Sequence, residues 1–566
     1  MLRSLRRFTQ DHFLLSAASV LLPLLLTIYG SSLGNDFVNL DDNILVTDNR
    51  AVSSPSLASY TFIFTTFDPE LYIPLTFVSY KIDYLIHQYD PFVFHLTNLL
   101  FHVGNSLLVT WIAWTLLRGK KWTATDRSRP TWPALLVGVL FAIHPLNTES
   151  VVWISARKDV LSAFFGLLSW AFYLRDREDP KQRSRWLSVL FFALGLLSKV
   201  SIAPLPIILL LCDWKEKSLD RSALKRIAPY VLLSVIFIIV ALIGKQTNLS
   251  AASSAHAFLL APFSAVFYLH KLLLPTNLSV LYPYTKPLTF LSPDVLLPLG
   301  LMIFLVAMAI ATLRRTREIA FGAALFLILL APSFLNALRG GDFYFASDRY
   351  AYLPSIGMFF LLAMLIQWIM ERKPSANQIL IPAIIILTIG LGFLAHRQSA
   401  IWKNSRTLFE HALKLYPNAQ VAYVKVGGEL MDEGKTEEAR HYFQQSIEIR
   451  RNERALYNLA LLEMEAGRND EALRLNEEAI ALNPHYAYAY VNAGYLRNLR
   501  GERSIAIHYF EKAVEFDPFG LEQKINLAAL LIQNGETARA RELVESVLSL
   551  DPENADANIL LRRIKQ

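Results

Sequence analysis

The chain has 566 residues, 53% of them hydrophobic and only 18% charged, with a mean hydropathy of +0.33. Soluble chains carry about 25% charged residues, so the composition excludes an ordinary cytosolic enzyme and equally a disordered chain, while a single cysteine, Cys212, excludes a disulfide framework and multi-cysteine metal sites. The net charge of +7 does not mark a nucleic-acid binder: residues 1–400 hold 34 Lys+Arg against 23 Asp+Glu, residues 401–566 hold 21 against 25, and the basic excess sits in short clusters between apolar runs, as in membrane loops.

A bilayer core about 30 Å thick takes roughly 20 apolar residues in a helix. The first such run, 13–30, follows Arg3, Arg6 and Arg7 and lacks a small-residue cleavage pattern, so it reads as an uncleaved span. The loop after it carries an acidic pair, Asp41 and Asp42. One such carboxylate can take a proton from an attacking hydroxyl while the other positions it; the alternative is a solvated turn. The second run, 93–117, places His95, Asn98 and His102 on one helical face, followed by Asn105. That face suits either helix–helix hydrogen bonding or the wall of a donor pocket.

Runs at 133–149 and 151–174 flank His144, Glu149, Arg157, Lys158 and Asp159. Cations here suggest an anionic ligand, unless an Arg157–Asp159 pair makes them structural. The stretch 186–213 is broken around Ser198, Lys199 and Pro204 and reads as two short helices, with Lys199 a third cation in the break. Further runs lie at 227–244, 295–313, 319–335, 351–370 and 379–395. Arg349 precedes one of them between Asp348, Tyr350 and Tyr352, placed either to bind a phosphate bidentately or to anchor the helix in an aromatic belt. Putting the basic clusters Arg3/Arg6/Arg7, Arg118–Arg129, Arg175–Arg185, Lys215–Arg226, Arg314–Arg317 and Arg372/Lys373 in the cytoplasm gives about eleven spans. The loops 31–92, 144–153, 245–293 and 336–350 then lie outside, and 257–274 does not cross.

From about residue 402 a fixed period takes over. Gly434, Gly467, Gly501 and Gly535 recur with Ala439, Ala472, Ala506 and Ala540, and Pro484, Pro518 and Pro552 follow the same period. This is the tetratricopeptide (TPR) pattern: a half-repeat at 402–419, repeats at 420–452, 453–486, 487–520 and 521–554, and a capping helix at 555–566. Tyr486, Tyr488, Tyr490 and Tyr495 line a peptide groove or pack between helices. The predicted fold is all-α, a membrane domain over 1–400 and a TPR solenoid over 401–566.

Seven stretches resemble the transmembrane and TPR-containing O-mannosyltransferase (TMTC) family. They are FVNLDDNILVTDN (37–49), HLTNLLFHVGNSLL (95–108), FAIHPLNTESVVWISARKDVLSA (141–163), LLSKVSIAPLP (196–206), YLHKLLLPTNLSVLY (268–282), DRYAYLPSIG (348–357) and HRQSAIWKNSRTLFEHALKLYPNAQVAY (396–423). The resemblance implies a GT-C glycosyltransferase fold, a polyprenyl-phosphate sugar donor (mannose in the animal members), Ser/Thr hydroxyls of a protein as acceptor, and inversion at the anomeric centre. It implies Asp41 or Asp42 as the base. Arg349, Arg157, Lys158 and Lys199 are candidates for holding the donor phosphate, and His95, Asn98, His102, His144, Glu149, Asp159, Tyr350 and Tyr352 for lining the pocket. Tyr488, Tyr490 and Tyr495 are candidates for acceptor binding. No metal ligand set is expected: a divalent metal is not favoured, and no cofactor is implied beyond the lipid-linked sugar.

The sequence departs from the animal members at Lys158, inserted between Arg157 and Asp159, and at LSKVSIA, where they carry a Lys-Glu pair. The compact loops and single cysteine point to a bacterial or archaeal inner membrane, with the site and repeats on the extracytoplasmic side. Expected partners are the lipid-linked sugar, membrane lipids and a protein acceptor. The competing readings are a non-catalytic membrane-anchored TPR scaffold and a lipid-phosphate transporter.

Overall fold

The computed structural model describes residues 12–67, 71–118, 131–178, 182–244, 253–284, 289, 291–334, 344–518 and 520–565. The basic cluster Arg3/Arg6/Arg7 and all of Arg118–Arg129 except Arg118 lie outside the described residues. Among those described, structure is helical throughout, with one isolated antiparallel bridge between Pro283 and Tyr344. The chain divides into two compact units, Met1–Thr47 with Thr66–Asn404, and Asp48–Thr65 with Ser405–Gln566. Chain order places 48–65 in the membrane domain; in the structure it joins the repeats, where Leu57–Thr65 packs on Thr537–Leu550.

Among the described residues of the first unit, six helical stretches are long and apolar enough to cross a bilayer: Phe13–Gly34, Pro91–Arg118, Arg221–Gly244, Pro293–Thr312, Ser355–Arg372 and Pro374–Ala400. Trp132–Ile143 with Pro145–Val152, bent by 52°, makes a seventh if counted as one span. The expected count of eleven is not reached on length and apolarity. Gln182–Ser198 and Leu205–Lys215 are short, Glu318–Phe334 has 17 residues, and Arg157–Glu178 carries charges at both ends. Leu297, Ile303 and Phe304 stand exposed along Pro293–Thr312, as side chains facing lipid do.

The core of this unit is the segment from Trp132 to Glu178, which packs against Pro91–Arg118 and Gln182–Ser198. Close approach is built in by small residues: Gly138 lies against Thr110, and a Cβ on Gly357 would meet the Gly322 carbonyl at 2.6 Å. Pro74–His87 forms a helix inside what hydropathy had left as an outer loop. It contributes two buried polar side chains, Lys81 and Asp83.

The second unit follows its period. Helix pairs Gln420–Asp432/Thr436–Ile449, Glu453–Glu465/Asn469–Leu482, Ala487–Leu499/Arg503–Phe516 and Leu521–Gln533/Thr537–Leu550 are preceded by Ser405–Leu415 and closed by Ala555–Lys565. Gly434, Gly467, Gly501 and Gly535 sit between the paired helices at φ +75, +71, +80 and +82. Only glycine adopts that conformation without strain. Each is followed by a backbone N–H that reaches back to close the first helix: Lys435 to Leu430, Arg468 to Glu463, Glu502 to Arg497 and Glu536 to Leu531. Within each pair Ala439, Ala472, Ala506 and Ala540 are fully buried.

One buried carboxylate makes the array sensitive to acid. Glu463 is held down to about 2 by its hydrogen bonds to Arg468 and Arg440. A folded-state value below the unfolded one contributes stability above the ordinary glutamate range and loses it as pH falls toward the folded value. The melting temperature should therefore drop between about pH 4.5 and pH 2, and Glu463→Gln should flatten that part of the profile.

Candidate active site

The acidic loop between Tyr29 and Thr47 is fixed from below. Asp42 is fully buried. Its Oδ2 accepts the Val38 N–H at 2.9 Å, and its Oδ1 accepts both the backbone N–H of Ser155 at 2.9 Å and the Ser155 hydroxyl at 2.5 Å. Burial pushes its carboxyl up to about 6, against the pull of the Ser155 and Val38 hydrogen bonds. Both oxygens are thus spent on the protein. Asp41, next along the chain, has a side chain 42% exposed, with Oδ2 3.4 Å from the Lys158 ammonium. Turning Asp42 inward presents Asp41 outward.

Around Asp41 three cations gather on an aromatic floor. Lys158 lies 5.2 Å and Arg349 5.0 Å from the Trp153 ring centroid, and Trp153 stacks on Trp402 at 5.8 Å. Arg349 also lies over the Tyr350 ring at 4.7 Å, and Lys199 approaches the same ring at 5.8 Å. Each cation has an acidic neighbour: Lys199 meets Asp159 Oδ1 at 2.5 Å and Arg349 meets Glu149 Oε1 at 2.5 Å. Glu149 is itself anchored by the Ser347 hydroxyl at 2.8 Å. Glu149 Oε2, Asp159 Oδ2 and Arg349 Nε are buried with no protein hydrogen-bond partner.

Several expected site residues are structural. Arg157 is fully buried, its Nη2 donating to Asp83 Oδ2 and to the Phe94 carbonyl, each at 2.7 Å, and its Nε donating to Asn98. It has no face left for a donor phosphate, and it pairs with Asp83, not Asp159. Asn98 donates to the Trp153 carbonyl at 2.9 Å. His102 bridges the Tyr352 hydroxyl at 2.7 Å and the Ala142 carbonyl at 3.0 Å, and Asn105 donates to the same hydroxyl at 3.0 Å. His144 contacts the Leu272 carbonyl at 3.1 Å and accepts the Leu146 N–H. His95 is buried beside the backbone of Asn35, Asp36 and Val152. The polar face of Pro91–Arg118 is therefore a hydrogen-bonded frame that orients Trp153 and Tyr352, and not a pocket wall.

Asp83, Trp153, Ser155 and Trp402 were missed in the sequence. The available signal was a carboxylate placed between apolar residues in the run from Pro74 to His87. Among the described residues no group of three or more His, Cys, Asp or Glu is placed to hold a metal ion.

In the repeat unit, Tyr490 is packed between Tyr509 at 5.8 Å and Phe516 at 5.4 Å, with its hydroxyl on the Pro484 carbonyl. Its ring contacts join the two helices of the repeat. Tyr488 and Tyr495, seven residues apart on one helical face, are 51% and 49% exposed.

The profile described as Tetratricopeptide repeat matches residues 427–487 and 457–521. Protein O-mannosyl-transferase Tmtc3 of Drosophila melanogaster is 24% identical over 455 residues, covering 67% of this chain and 48% of that protein. Protein O-mannosyl-transferase F38B6.6 of Caenorhabditis elegans is 22% identical over 455 residues, 76% of this chain and 62% of that one.

Its relatives are protein O-mannosyl-transferases.

The human TMTC4 transferase is 33% identical over 138 residues, 23% of this chain and 19% of its own. The chain spans about half the length of most of the curated relatives that it matches over most of its own length. Among solved structures, the TPR protein YrrB is 19% identical over 28% of this chain and 82% of its own, with a TM-score of 0.23. MamA is 23% identical over 27% and 89%, also at 0.23. The chain is all-α, with candidate membrane spans in its first unit and a TPR array in its second.

Proposed function

We propose that the chain is a membrane protein O-glycosyltransferase that moves a sugar, mannose by the name its relatives carry, from a polyprenyl-phosphate to a Ser or Thr hydroxyl of a protein acceptor. The observation that carries this reading is Asp41, an exposed carboxylate 3.4 Å from Lys158, in a site that also gathers Lys199 and Arg349 over Trp153 and Tyr350.

Asp41 takes the proton from the acceptor hydroxyl as its oxygen attacks the anomeric carbon. The bond from that carbon to the phosphate oxygen breaks, and the electron pair leaves with the lipid phosphate. The attack comes opposite the leaving group, so the anomeric centre inverts. The phosphate goes from one negative charge to two, and Lys158, Lys199 and Arg349 stabilise the charge that develops. The planar Arg349 guanidinium suits two phosphate oxygens, and the two ammonium groups act as point charges. Asp42 does not touch the reactants; it is a positioning residue that sets the direction of Asp41. Under the positive-inside reading of the loops, the site and the repeats face away from the cytoplasm, and the repeats deliver the acceptor.

The deciding experiment supplies purified protein with a polyprenyl-phosphate-linked hexose and a Ser/Thr-rich protein, followed by intact mass. The expected result is a hexose increment on Ser or Thr that requires both donor and enzyme. Lipid movement across a vesicle without such an increment would favour the transporter reading instead.

A further inference from the structure

The first outer loop does not stay with the acidic pair. Residues 48–65 are held in the repeat unit. Helix Leu57–Thr65 packs on the last repeat helix, Thr537–Leu550. Arg50 reaches Asp551 at 3.9 Å, and Asp48 lies within electrostatic range of Tyr488, one of the two exposed tyrosines of the array. The segment starts seven residues after Asp41, a span of at most about 25 Å of extended chain.

Its composition is unusual for a strap. Between Ser53 and Thr65 it carries Ser53, Ser54, Ser56, Ser59, Thr61 and Thr65 among apolar and aromatic residues. Four of those hydroxyls are engaged locally: Ser54 with Ser56 at 2.9 Å, Ser59 on the Ser56 carbonyl at 2.7 Å, and Thr65 on the Thr61 carbonyl at 2.7 Å. Ser59 is fully buried. Ser54 and Ser59 are thus shielded from solvent, while Thr61 and Thr65 stay exposed on the segment, so the stretch carries the side chains of an acceptor while packed on the repeats.

We infer that residues 48–65 occupy, in cis, the repeat surface that receives the acceptor, and that the acceptor is a Ser/Thr-rich segment interspersed with apolar and aromatic residues which displaces them. The inference rests on the acceptor role proposed for the repeats.

The test reads binding and not transfer, so its failure is distinct from failure of the glycosyltransferase reading. Full-length protein in detergent is titrated with a fluorescein-labelled synthetic peptide of residues 48–65 and followed by anisotropy. The wild type is compared with a variant in which residues 50–65 are replaced by a Gly/Ser chain of equal length, and with Ile63→Asp, which disturbs one buried side chain of the segment. A tethered occupant competes at roughly millimolar effective concentration, so the expected result is binding to the replaced variant about ten-fold or more tighter than to the wild type, with Ile63→Asp in between, and no binding of a scrambled peptide. Equal affinity in wild type and both variants overturns the inference, and so does equal binding of the scrambled peptide. Absence of binding to the replaced variant at millimolar peptide overturns it as well, and melting temperatures of both variants verify that the repeats remain folded.

Discussion

Asp41→Asn should lower glycosyl transfer by about 10²–10⁴-fold, the usual contribution of a general base, with the melting temperature unchanged. The Asp41 side chain is 42% exposed and lies 3.4 Å from Lys158, and an amide of the same shape keeps the loop while losing the proton acceptor. Asp42→Asn should behave differently. An amide must turn its NH2 toward either the Val38 N–H or the Ser155 N–H, where the carboxylate now accepts at 2.9 Å from both. A donor then faces a donor in a fully buried position, which costs about 1–3 kcal/mol. Asp42→Asn should thus lower both thermal stability and transfer, and Asp41→Asn transfer alone. Thermal melts run alongside the transfer assay separate the two. Full transfer by Asp41→Asn would remove it as the base.

Arg157→Ala should destabilise the membrane unit by about 3–5 kcal/mol, the cost of breaking a buried pair from one side. The guanidinium and Asp83 are both buried, at 2.7 Å, and Asp83 also accepts the Thr97 hydroxyl at 2.9 Å. Without Arg157 the Asp83 charge is left in an apolar setting, and Asn98 loses one of the bonds that hold it against the Trp153 carbonyl. The double change Arg157→Met with Asp83→Leu removes both charges and should recover much of the loss. Unfolding monitored by thiol labelling of the buried Cys212 checks this. A variant that lost transfer while remaining as stable as the wild type would restore Arg157 to the donor site.

The two halves of the chain were unequally legible. A TPR turn needs glycine at positive φ and a small residue where two helices touch, so Gly434 through Gly535 and Ala439 through Ala540 print the repeat directly into the sequence. The contacts that define a repeat are local. The membrane unit is built from long-range contacts. The acidic pair stood out in its loop, but the division of labour between Asp41 and Asp42 depends on Ser155, 113 residues away. Arg157 was misread for the same reason: its partner Asp83 sits on Pro74–His87, a helix too polar for hydropathy to mark. The run at 151–174 was legible as the helix Arg157–Glu178, which carries Arg157, Lys158 and Asp159 at its start and Arg175, Asp176, Arg177 and Glu178 at its end.

The pairing of Lys199 with Asp159 and of Arg349 with Glu149 bears on turnover. Together with Lys158 and Asp41, three positive and three negative side chains cancel before any donor enters. On the proposed reading, an incoming phosphodiester takes the cations from these resident carboxylates, so it is held less tightly than three free cations would hold it. After transfer, Asp159 and Glu149 would then reclaim their partners and help expel the product phosphate. A site of bare cations would bind that product most tightly of all and stall on it; under the same reading the resident carboxylates act as built-in competitors that favour its release.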